Sequence, residues 1–360
     1  MKKLLIYIIV LICFSFQLAN AQEVLTDKEK VMVARIDCLN NMKQFAGNLY
    51  WKDFGKSNFV GTIVYITDSA SYFFNPEALI MERIHNYAPI DASEDYSLLK
   101  LAPFKTPIAI IETMFEPEFG DESQIYYKLP VLFASSPELY QRLNINEFNN
   151  TDEWLVSAFH EYYHQYQYKN IAILDYITSL LKQKKLLTMD SLSSIYHNNI
   201  AFKDSLDKEN QLLLKAIQST NKEVEKKYFA EFLKVRNERR KQYIKQTKFP
   251  INLPEDFWEK LEGATYYQEA ILKHNYNAFK GDSTLLKIDN NYTGGTSFSS
   301  FNMNSDPKYS DTNEAFYYVG AIGFNLIRLL EKNKVNYKDN LYKFASQPLH
   351  TLLKYHYKIK

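Results

Sequence analysis

Between Gly120 and Gly263 the chain has no glycine, and between Pro137 and Pro250 it has no proline. These two residues break helices most strongly: glycine because ordering its backbone costs the most entropy, proline because it lacks an N–H and clashes with the preceding turn. A stretch this long without either, rich in Leu, Lys, Glu and Gln, predicts helices from about Glu138 to Lys248. On its N-terminal side, Thr26 and Glu29 have capping-box spacing and open an apolar track through Val31, Ala34, Met42 and Phe45. Short β-type runs follow at Phe59 to Ile66, Ser71 to Phe74, Pro107 to Ile111 and Ile125 to Phe133, bounded by Gly, Pro, Asp and Ser. On its C-terminal side, helices are expected over Glu255 to His274 and Asn313 to Lys332, around a Gly- and Asn-rich loop at Asn290 to Ser305. The expected fold is α+β. A small N-terminal sheet in an α+β part (22–150) packs on a mostly helical body (151–360), with 171–250 as a long helical insertion. The charged stretch Lys182 to Lys248 reads as a solvated helical insertion, or else as a lid or partner-binding element.

The first residues have the pattern of an export signal (1–21). Lys2 and Lys3 precede an apolar run from Leu4 to Phe16, and Ala19-Asn20-Ala21 supplies small residues before Gln22. The run is short for a membrane span, and no later stretch is long and apolar enough to cross a bilayer. A periplasmic or extracellular location is therefore expected. Cys13 leaves with the signal and Cys38 alone remains, so no internal disulfide is expected; Cys38 reads as a small buried hydrophobe. With 43 basic and 42 acidic residues, the charge balance gives no reason to expect nucleic acid or an anionic membrane surface as a partner.

One motif carries chemistry. His160-Glu161-Tyr162-Tyr163-His164 lies in a breaker-free segment, Trp154 to Lys169, and holds two of the seven histidines. On a helix, residues four apart share a face, so both imidazoles reach one metal ion. Glu161, beside the first, is placed to accept a proton from a water that the metal activates. Leu155, Ala158, Phe159, Tyr162, Tyr163 and Tyr166 make the helix apolar nearly all round, and buried polar groups there need a partner. A catalytic zinc usually takes three protein ligands. Glu262 is a candidate third ligand or else an ordinary surface glutamate. Gly263 and Ala264 beside it would allow close approach to the histidine helix. Glu269, seven residues on and on the same face, would orient a ligand histidine. His85, His197, His274, His350 and His356 are isolated and read as structural or surface residues.

The His-Glu-x-x-His segment followed by Glu262-Gly263-x-x-Tyr266 resembles the gluzincin peptidases, the clan that includes thermolysin and the zinc aminopeptidases. The resemblance implies a zincin-like fold and one zinc per chain held by His160, His164 and Glu262. It also implies Glu161 as general base and a peptide or protein as substrate. Tyr317-Tyr318-Val319-Gly320 is similar to the Tyr-x-x-Gly helix of the zinc aminopeptidases, where the tyrosine steadies an oxyanion; here Tyr317 or Tyr318 takes that role. By the same analogy, Tyr126 to Ser135 is either the edge strand that binds substrate backbone or plain sheet core. The chain departs from thermolysin in the long gap between His164 and Glu262, and it lacks a Gly-x-Met-Glu-Asn-type exopeptidase segment. Two other readings are a non-catalytic exported binding protein on the same scaffold, and a structural helical protein in which His160 and His164 pair with carboxylates.

Overall fold

The computed structural model describes residues 25–56, 60–82, 84, 86–90, 96–114 and 130–359; the leader-like segment and residues 126–129 lie outside them. Helix α1 (Asp27–Leu49) opens with the capping box: the Thr26 hydroxyl accepts from Glu29 N, and the Glu29 carboxylate accepts from Thr26 N at 2.9 Å. Cys38 is fully buried within it. After the short α2 (Lys52–Gly55) come β1 (Ile63–Ile66), β2 (Ser71–Phe74), α3 (Ala78–Met81), β3 (Ala88–Ile90), β4 (Leu98–Leu101), β5 (Ile111–Met114) and β6 (Val131–Ser135). They form one sheet in the order β3-β4-β2-β1-β6-β5, in which only β1 and β6 pair in parallel.

Ile63, Tyr65, Leu132 and Ala134 enter the main core, while Val64, Ile66, Val131 and Phe133 enter a smaller cluster with Ile80 and Leu139. With both faces covered, the strands read as continuous apolar runs rather than alternating ones. Strands β3 and β4 were not expected. They are short, and Pro89 in β3 is tolerated because that strand lies at the sheet edge.

The helical body follows as α4 (Pro137–Arg142), α5 (Thr151–Tyr168), α6 (Ile171–Lys182), α7 (Met189–Asn198), α8 (Ile200–Gln218), α9 (Lys222–Thr247) and α10 (Asn252–His274). Beyond α10 lie α11 (Tyr276–Phe279), α12 (Leu285–Ile288), α13 (Pro307–Ser310), α14 (Tyr318–Lys332), α15 (Lys338–Leu341) and α16 (Leu349–His356). A single apolar cluster joins Met32 of α1, Ile63 of β1, Phe159 of α5, Leu261 of α10 and Leu329 of α14, so the parts before and after residue 150 share a core.

The charged stretch Lys182 to Lys248 is only in part a solvated insertion: most of its lysines are exposed, but its arginines form a buried face. Arg236, Arg239 and Arg240 of α9 are buried and face Glu209 of α8 and Glu255, Asp256 and Glu259 of α10. Arg236 grips Glu259 bidentately at 2.9 and 2.6 Å, and Arg239 and Arg240 each meet Glu255 at 2.7 Å. Composition suggested solvation; the i, i+3, i+4 spacing of the arginines instead serves one buried face.

Gly263 also departs from expectation. It meets Gly323 of α14, not the histidine helix: a Cβ on Gly263 would lie 2.3 Å from the Gly323 backbone, and one on Gly323 would lie 2.0 Å from Glu259 O. Backbone cannot swing aside as a side chain can, so Gly323→Ala is expected to cost about 1–3 kcal/mol, read as a lower midpoint in urea unfolding.

Burial alone pushes the Glu29 carboxyl up, but Lys100, the Thr26 backbone and hydroxyl, and Tyr72 outweigh it and hold its pKa at about 2 against an ordinary 4.5. A depressed carboxyl stabilises the fold fully above its unfolded pKa, and that contribution is lost as pH falls through the folded one. Glu29→Gln is therefore expected to lower stability at neutral pH by on the order of 2 kcal/mol. The gap from the parent protein should close between pH 4.5 and about 2, as measured by urea unfolding across that range.

Candidate metal centre

Helix α5 is fixed to the sheet before it carries any chemistry. Asn150 caps it by accepting from Glu153 N at 2.9 Å, and Trp154 Nε1 donates to Ser135 O at 2.8 Å. The Gln165 amide donates to Thr62 O at 2.7 Å and Pro130 O at 2.8 Å, and a Cβ on Gly61 would fall 1.8 Å from that amide. Helix α10 packs across α5, held from behind by the arginines of α9 and the glycine contact with α14.

Where the two helices cross, three donor groups converge. His160 Nε2 and His164 Nε2 are 3.2 Å apart. The Glu262 carboxylate lies 3.6 Å from His160 Nε2 and 3.3 Å from His164 Nε2. Bonds of about 2.0–2.1 Å at tetrahedral angles place ligand atoms roughly 3.4 Å apart, so the spacing fits a four-coordinate divalent ion. Glu161 joins the same cluster, its carboxylate within 4.8 Å of both histidine donor nitrogens.

The outer hydrogen bonds say which ring nitrogens carry protons. His160 Nδ1 is 2.9 Å from Glu269 Oε2, and a carboxylate only accepts, so Nδ1–H donates. His164 Nδ1 is 2.7 Å from Gln167 Oε1, while the Gln167 amide nitrogen donates to Leu261 O and the Tyr342 hydroxyl, so this Nδ1–H donates as well. In the neutral rings both Nε2 atoms then present lone pairs to each other and to Glu262. Burial works against a charge on His160, but Glu262 and Glu269 outweigh it and raise its pKa to about 10. Burial pushes Glu262 up, but His164 and His160 hold it down at about 2. The point between the donors calls for positive charge. One proton bridges only two of three groups; a metal ion meets all three.

Glu269 is itself held by Lys273 at 3.2 Å and by the Tyr309 hydroxyl, which donates to it. On the open side, Thr113 N of β5 donates to Glu161 Oε2 at 2.8 Å. Tyr317 precedes α14, and its hydroxyl donates to Asp190 Oδ1 at 2.8 Å. Tyr318 does not face the cluster. Its buried hydroxyl donates to Glu255 at 3.0 Å, because neighbouring residues at a helix start point in different directions.

Of the two roles open to the strand ending at Ser135, its described part takes that of sheet core. Val131–Ser135 is an inner strand paired on both sides, and β5 is the edge beside α5 among the described residues. Sequence reasoning missed Thr113, Gln167 and Tyr309. Gln167 left one trace: a polar residue three positions after His164 on an apolar helix. Thr113 and Tyr309 left none, because their roles come from contacts distant in sequence.

Two other features carry no such chemistry. Asp256, Glu259 and His350 also come together, but Arg240 sits 2.9 Å from Asp256 and Arg236 sits 3.3 Å from His350 Nδ1, so guanidinium groups already supply the positive charge. A cavity of about 180 Å³ between α1, the β1–β2 turn and α4 shares no residue with the histidine cluster. Its Glu29, Arg35 and Arg142 are already paired with Lys100, Glu138 and Asp68.

No family model, curated protein or solved structure matches the chain, so the functional reading rests on this geometry. Glu262→Ala is expected to reduce metal content to background. Glu269→Gln, which keeps an acceptor but loses the charge, is expected to weaken metal affinity about 10-fold or more in chelator competition.

Proposed function

We propose that the protein is an exported, zinc-dependent hydrolase of peptide bonds with a gluzincin-type ligand set and a zincin-like arrangement of sheet and helices. The observation that carries this reading is the convergence of His160, His164 and Glu262 at 3.2 to 3.6 Å, with Glu161 beside them. His160, His164 and Glu262 would hold the ion, with Glu269 and Gln167 fixing the rings. Zinc, when bound, polarises a carbonyl and makes water a better nucleophile at neutral pH.

Glu161 takes the proton of the attacking water and delivers it to the leaving amine. The Thr113 N–H holds one oxygen of its carboxylate and leaves the other to turn toward the cluster. Tyr317 is the remaining tyrosine for the oxyanion role, and its hydroxyl proton must leave Asp190 to serve it. A peptide substrate is supported by β5, the edge strand beside Glu161 among the described residues, along which an extended backbone can lie. Export is supported by the leader-like pattern from Lys2 to Ala21.

Metal analysis of the purified protein is expected to find about one zinc per chain. Glu161→Gln is expected to keep that zinc and lose roughly 100-fold or more of its activity on a peptide library. Absence of zinc after metal-replete purification, or full activity of Glu161→Gln, would overturn the assignment.

A further inference from the structure

Gln167 is fully buried, and it hydrogen-bonds both a ligand histidine and the backbone beside the ligand glutamate. Its Oε1 accepts from His164 Nδ1 at 2.7 Å. Its two amide hydrogens go to Leu261 O at 3.0 Å and the Tyr342 hydroxyl at 2.8 Å. Leu261 immediately precedes Glu262. The Tyr342 hydroxyl in turn meets the Tyr163 hydroxyl at 3.0 Å, back on α5.

The amide cannot be reversed. A flip would set its carbonyl oxygen against Leu261 O, which can only accept, losing that hydrogen bond and creating a repulsion in a buried place, whatever the tautomer of His164. Its orientation therefore fixes the His164 tautomer, with the proton on Nδ1 and the lone pair of Nε2 toward Glu262 and His160. The same amide sets the height of α10 against α5 at the residue next to Glu262. A glutamate at 167 could accept from His164 but would have no hydrogen for Leu261 O. A leucine or methionine would do neither.

We propose that Gln167 is the positioning residue of the metal centre, joining its two helices by fixing the His164 tautomer and the placement of Glu262 at once. This rests on the metal-site reading above. The first measurement is the tautomer of His164 in the zinc-loaded parent protein, by ¹⁵N-histidine NMR. A proton on Nδ1 is expected; a proton on Nε2, or a mixture, overturns the proposal without any variant having to fold.

The second measurement is zinc affinity by chelator competition for Gln167→Met and Gln167→Glu, with the visible spectrum of each cobalt(II)-substituted protein. Gln167→Met is expected to bind zinc about 10–100-fold more weakly, with a shifted cobalt spectrum. Gln167→Glu should regain part of the affinity, since it keeps the acceptor for His164. Glu29→Gln, which lowers stability far from the centre, serves as the comparison and should leave affinity and spectrum as in the parent. Unchanged affinity and spectrum in Gln167→Met, beside a zinc-binding parent, overturn the positioning role. A parent that binds no zinc overturns the metal-site reading instead.

Discussion

The structure turns on a buried meeting of like groups. Two imidazole Nε2 atoms and a carboxylate face one another between α5 and α10, at separations that call for a positive charge among them, carried by a proton or a metal ion. Burying a carboxylate costs several kcal/mol unless it is paired and hydrogen-bonded. A fold that places three such donors together must therefore hold both helices rigidly. The clamps of Gln165 on β1 and β6, the Trp154 bond to Ser135, and the backbone contact of Gly263 with Gly323 provide that rigidity. None of these groups touches the cluster, yet each limits how far His160, His164 or Glu262 can drift.

The charge carried by α10 explains the role of the helices between the histidine segment and the Glu262 segment. Glu255, Asp256, Glu259, Glu262 and Glu269 all lie on this one helix, and most of its length is buried. Without compensation such a helix would not enter the core. Arg236, Arg239 and Arg240 neutralise its first half, while Lys273 and the two histidines meet its second half. The helices from Ile171 to Thr247 thus supply the counter-charge that lets the helix bearing Glu262 be buried. They also fasten the segment leading to Tyr317: Asn210 donates to Ser310 O, Thr312 donates to Asp207, and Tyr196 donates to Asn313.

Much of this was legible in the sequence where the governing physics is local. The capping box at Thr26 and Glu29, the helix around His160 and His164, and the helix around Glu262 each follow from spacing and the absence of breakers. Seven-residue spacing put Glu262 and Glu269 on one face, and the structure brings both to His160. What was not legible depends on contacts between distant segments. The partner of Gly263, the burial of the α9 arginines, the inner place of β6 and the turning away of Tyr318 all follow from packing that no local pattern encodes. Charge misled most: Lys- and Arg-rich helices usually face water, and only the three-dimensional arrangement reveals which face does not.

A purely structural pairing of histidine with carboxylate accounts for part of the cluster. His160 donating to Glu269 is an ordinary buried hydrogen bond and needs no metal. At His164 the same explanation requires a protonated ring. Its Nδ1–H is already spent on Gln167, so its Nε2 can bond Glu262 only if the ring carries a second proton, which burial opposes and the Glu262 carboxylate favours. A structural role therefore buries an imidazolium beside Glu262, whereas a metal ion would take the same place with both rings neutral. The outer partners hold each Nε2 toward Glu262, the orientation that would supply a ligand to a bound metal ion. Glu161, held by the Thr113 backbone, lies beside the two histidines and adds its negative charge to their surroundings, which is the placement the proposed general base requires.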